Sequence, residues 1–110
     1  MRILIGCLDL IDKEYYKEAL QSYDVIFFSS DNADIIYKVY ETSFLQILEQ
    51  LPDNWEPDII LFSHPEYQVL PIDIEKSPYP VIALIIDWNI GFELINFITG
   101  CFDYIFTDKD

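Results

Sequence analysis

Asp87, Trp88 and Asn89 place a carboxylate, an indole and an amide side by side. Such a trio suits recognition of a polyol, because the acid and the amide bind hydroxyls while the ring packs on the C–H face of a sugar. The same residues have a plainer use, with Asn89 capping a helix, Trp88 filling core and Asp87 setting negative charge at the helix start. His64 is the only histidine. Its imidazole can act as acid or base near neutral pH, or it can simply end a strand before Pro65. Asp9 can serve as a base or bind a ligand hydroxyl; it equally stabilises the N-terminus of a following helix. With no second histidine and no cysteine pair at ligand spacing, no metal site is expected.

Apolar runs must position these residues. Residues 81–86 form an uninterrupted apolar stretch that stops at Asp87. A run of this kind, rich in β-branched residues, reads as a strand buried on both faces of a parallel sheet. Residues 2–7, 24–29, 58–63 and 104–107 read as further strands. Helical spacing covers residues 13–21, with Asp12 as its cap, and residues 34–51, where Ile36, Val39, Tyr40, Phe44, Ile47, Leu48 and Leu51 repeat at the helical period. Prolines break residues 66–79, leaving room for a short helical turn near 72–76, and a last helix is expected over 91–99. Alternation of this kind predicts one Rossmann-like α/β domain over residues 1–110, with a five-stranded parallel sheet in the order 3-2-1-4-5. Asp9, His64 and Asp87 all follow strands running the same way, so they should share one rim. Cys7 ends a strand and Cys101 precedes one, which puts them at opposite ends of the sheet and excludes a disulfide between them.

Several functions lack their hardware. The turn Gly6-Cys7-Leu8-Asp9-Leu10-Ile11 carries one glycine among bulky residues, so neither a dinucleotide fingerprint nor a P-loop is present and no nucleotide cofactor is expected. The strand at 58–63 ends in Ser63-His64 where a phosphoacceptor sheet would need an aspartate. Net charge is −14, from 20 acidic and 6 basic residues. That excess repels phosphate backbones and anionic lipid, so nucleic acid and membrane surfaces are not expected partners. No apolar run reaches the ~18–20 residues of a membrane span. The N-terminus lacks a signal-peptide layout, and a cytoplasmic location follows as the default. With 52% hydrophobic and 16% aromatic residues, the chain is expected to fold.

Four segments together resemble a known family: Met1-Arg2-Ile3-Leu4-Ile5, Glu56-Pro57-Asp58-Ile59-Ile60-Leu61, Tyr79-Pro80-Val81 running on to Asp87-Trp88, and Phe102-Asp103-Tyr104-Ile105-Phe106-Thr107-Asp108. The pattern is similar to the N-terminal half of GT-B glycosyltransferases, nearest in flavour to the bacterial spore-maturation glycosyltransferase-like group. The resemblance implies a two-domain enzyme that moves a sugar from a nucleotide donor to an acceptor. This half would hold the acceptor and a missing C-terminal half the nucleotide sugar. Asp87, His64 and Asp9 would then be catalytic candidates facing the cleft, with Trp88 and Asn89 on the substrate, and the chain alone would be inactive. A non-catalytic α/β binding or protein-interaction domain is the alternative. The helices after the first two strands should share one face, leaving the proline-broken segment to cover the other. Apolar surface should therefore stay open beside that segment and near residues 104–107. The missing half, or in isolation a homodimer, would cover it.

Overall fold

The computed structural model describes residues 1–6, 10–65, 68–85 and 102–107. The apolar runs form strands β1 (Arg2–Gly6), β2 (Asp24–Ser29), β4 (Ile59–Ser63), β5 (Val81–Ile85) and β6 (Tyr104–Thr107), with a two-residue strand β3 (Ile35–Ile36) between β2 and β4. All pairings are parallel, in the order β3-β2-β1-β4-β5-β6. This is the expected Rossmann-like α/β pattern with six strands in place of five, the added one being Ile35–Ile36. The third place is taken by Ile35–Ile36, and Ile59–Ser63 lies on the other side of β1. Helix α1 (Leu10–Ala19) links β1 to β2, and helix α2 (Phe44–Glu49) links β3 to β4. A 3-10 turn, Ile74–Lys76, lies in the proline-broken stretch, where a short turn was expected.

Side-chain alternation along the strands builds a core on each face. One holds Leu4, Phe28, Phe44, Ile47, Ile60, Phe62, Ile74 and Val81, and the other holds Ile3, Ile5, Tyr16, Phe27 and Leu61. A wholly buried aliphatic or aromatic side chain contributes roughly 1.5–3 kcal/mol, so the ring cluster of Phe28, Phe44 and Phe62, each at 1% exposure or less, is the main source of cohesion on the first face. Gly6 lies between two of these rings. It pairs in register with Phe28 on one side and Phe62 on the other, and their ring centroids are 5.3 Å apart in a T-shaped arrangement.

Three expectations are corrected. The helix read over residues 34–51 is not one helix, because its first half holds β3 and a turn in which Tyr40 has φ of 65°. Ser43 then starts α2 through a capping box, accepting from the Gln46 N–H while the Gln46 side chain accepts from the Ser43 N–H. Helix α1 begins at Leu10, so Asp12 falls inside it and not at its cap. The helix after β2 also does not share a face with α1. Inserting β3 moves α2 into the return crossover, and right-handed connections carry that crossover to the opposite face. There it packs with the proline segment: the Phe44 N–H donates to the Ile72 carbonyl at 2.8 Å, and the Tyr37 hydroxyl donates to the Val69 carbonyl at 3.0 Å. Prolines thus do not leave that face bare, since Leu70, Ile74 and Tyr79 all join its core.

Candidate functional site

Strand order reverses between β1 and β4. The chain leaves β1 toward α1 on one face, whereas its excursion between β4 and β5 packs on the other. The two connections therefore leave on opposite faces at the carboxyl edge, and in open α/β sheets ligands bind in the crevice at such a switch point. His64 emerges there. The carboxyl ends of β1, β4 and β5 lie along the same edge, because the three strands are parallel neighbours. Asp9, Asp87, Trp88 and Asn89, together with Cys7, Cys101 and the stretch 91–99 expected as a helix, lie outside the described residues.

Beneath this edge lies a small polar network. Ser63 is wholly buried, and its Oγ accepts a hydrogen bond from the buried Tyr16 hydroxyl at 3.1 Å, which ties β4 to α1. The Gln68 side-chain amide donates to the carbonyls of both Gly6, at 3.4 Å, and Ser63. One side chain thereby bridges the two strand ends where the sheet can no longer pair them. The backbone N–H of His64 donates to the Leu84 carbonyl at 3.0 Å, extending the ladder one residue past β4. His64 itself is half-buried and left-handed, with φ of 54°. Left-handed backbone is uncommon outside glycine, and a residue before proline is driven toward extended backbone. The buried Pro65 and the bond to Leu84 hold this conformation, and such strained positions concentrate at ligand sites.

The groups described at this edge are hydroxyl, amide and imidazole. Lys13, near the start of α1, is engaged over the Phe27 ring, 5.6 Å from its centroid. At Gly6 an added Cβ would meet the Phe28 and Phe62 rings at 2.8 and 2.9 Å, so its missing side chain makes room for core aromatics. Among the described residues, no three His, Cys, Asp or Glu side chains gather in a metal-binding group, and no helix is long and apolar enough to cross a membrane.

Sequence reasoning placed His64 at the end of its strand but did not point to the residues beneath it. Tyr16 was legible only as a helix-face residue, although a buried tyrosine needs a partner for its hydroxyl. Gln68 carries no local signal, since its role depends on where β1 ends, far away in sequence. The fold is a Rossmann-like α/β domain, and the groups described at its switch point are hydroxyl, amide and imidazole. Neither a protein-family model nor a curated protein matches the chain.

Proposed function

We propose that this chain holds a neutral, hydroxyl-bearing ligand at the carboxyl ends of β1 and β4, as the acceptor-side half of a GT-B glycosyltransferase. The observation that carries the reading is the position of His64, half-buried and held left-handed where the strand order reverses. Hydroxyl and amide groups around it match polyol chemistry, and the absence of a glycine-rich turn matches a domain that does not grip a diphosphate. In transfer, the His64 imidazole would accept the proton of the acceptor hydroxyl as that oxygen forms its bond to the sugar carbon. The nucleoside diphosphate would leave on a second domain, so this chain binds acceptor and does not turn over alone. Asp9 follows β1 in the sequence and Asp87, Trp88 and Asn89 follow β5, which makes them further candidates for the same edge.

Titration calorimetry with a panel of neutral oligosaccharides and with uridine diphosphate tests the proposal. Heat of binding is expected from a neutral glycan and not from the nucleotide, and His64→Ala is expected to weaken the glycan. Binding of the nucleotide without any glycan would overturn the reading.

A further inference from the structure

The two faces of the sheet are not covered to the same width. Parallel register aligns Phe27, Ile5, Leu61, Ile82 and Tyr104 in one row across β2, β1, β4, β5 and β6. Register partners project to the same face, here the face under α1. Exposure along the row is 3% at Phe27, 0% at Ile5 and 9% at Leu61, and it reaches 60% at Tyr104. The next row repeats the trend, from buried Ser63 through half-buried Leu84 to Phe106 at 57%. On the opposite face the neighbouring Ile105 is half-buried and packs with Ala83 and Ile85. Among the described residues, cover on the α1 side therefore ends near β5. An apolar strip of Ile82, Leu84, Tyr104 and Phe106 continues beyond it.

The dimensions fit one helix. Strands are about 4.8 Å apart and packed helices about 8–10 Å apart, so a helix laid beside α1 would sit over β5 and β6. Helix α1 already presents an aromatic flank on that side. Lys13 over Phe27 marks the β2 flank, and Tyr16 bonded to Ser63 marks the β4 flank. At about 100° per residue, Tyr15 lies beyond Tyr16 and away from Lys13, on the side of the strip. Tyr15 is exposed and meets Tyr16 edge-on at 5.2 Å.

Charge selects the occupant. The chain carries −14, and a second copy would bring the same charge to the contact. None of the described cations belongs to β5 or β6. The two lysines of α1 fall on its far flank by the same helical rotation, Lys17 pairing with Glu14 at 3.8 Å. Asp103 is exposed at the foot of β6, and Glu18 is exposed on α1. We propose that the β5–β6 strip binds an amphipathic helix of another polypeptide, apolar along one stripe and basic along its margins. This is independent of the switch-point reading, because the strip and the crevice involve different residues.

A Leu/Lys amphipathic peptide of about 18 residues, long enough to hold a helix, and its Leu/Glu counterpart with the same apolar stripe are the probes. Fluorescence anisotropy on the full chain is expected to show the basic peptide binding at least about tenfold more tightly than the acidic one. Tyr104→Ser with Phe106→Ser should weaken the basic peptide by about tenfold, since buried aromatics dominate such contacts. Both positions are exposed, so these variants keep the fold, which circular dichroism checks. Unchanged binding by the double variant would mean that charge alone attracts the peptide, and would overturn the proposal. So would shielding of Tyr104 and Phe106 from a paramagnetic co-solvent in the free chain, or self-association that the same double variant abolishes.

Discussion

Replacing Gly6 by alanine tests whether the aromatic core dictates that residue. No left-handed backbone is involved, so alanine itself is sterically permitted in the strand, and the unfolded chain loses entropy worth about 0.4–1 kcal/mol in its favour. Against this, the new Cβ would approach Phe28 Cζ at 2.8 Å and Phe62 Cδ1 at 2.9 Å. Relaxed carbon contacts are about 3.5–4.0 Å, so both rings must retreat. Neither has slack: Phe28 packs against Tyr37 and Phe44, each at 6.0 Å between centroids, and Phe62 against Phe102 at 5.7 Å. Overpacking of this kind costs about 1–3 kcal/mol. The net expectation is a loss of about 1–2 kcal/mol, read as a lower urea midpoint at unchanged slope. In a Phe28→Leu background the same substitution should cost much less, giving a coupling of about 1 kcal/mol in a double-mutant cycle. A neutral or stabilising Gly6→Ala, or costs that simply add, would refute the packing argument.

Other consequences concern the β2 edge and the second crossover. Strand β3 pairs only with Phe28 and Ser29, so the Phe27 N–H finds its acceptor in the Asp34 carboxylate at 2.9 Å. Asp34→Ala should cost about 1 kcal/mol and raise concentration-dependent aggregation on heating, because a bare strand edge is a template for pairing; light scattering during the melt reads this. Burial raises the Tyr37 hydroxyl above its ordinary value of 10.0. The folded chain therefore holds that proton more tightly than the unfolded one. The resulting stability is complete below the unfolded value and is lost as pH rises through the folded value. Tyr37→Phe should lower stability near neutrality by about 1 kcal/mol through loss of the bond to Val69 while flattening the decline at alkaline pH; an equally steep decline in the variant would contradict the assignment.

Continuous apolar runs announced β1, β2, β4 and β5, because a strand buried on both faces admits no polar interruption. The short turn at Ile74–Lys76 was legible too, since prolines on either side permit little more. The stretch from Asp34 to Leu51 misled because its apolar spacing runs on at the helical period while two stronger local signals cut it. Ser43 and Gln46 form a capping box that starts the helix late, and Ile35-Ile36 are β-branched residues beside an open strand edge. That added strand sends α2 to the opposite face, a consequence that hydrophobic period alone does not encode. At the crevice, His64 could be read from its place after an apolar run. Gln68 could not, because its partners are carbonyls at the ends of two strands that only the fold brings together.

The central claim is that the crevice between the ends of β1 and β4 is the binding site for a neutral hydroxyl-bearing ligand. Mapping amide chemical shifts by NMR while titrating a neutral oligosaccharide tests it most directly. The account predicts progressive shifts at Gly6, Ser63, His64 and Gln68, with β3 and the exposed face of β6 unmoved. Shifts confined to β6 or to the β2–β3 edge, with His64 and Gln68 silent at saturation, would contradict it.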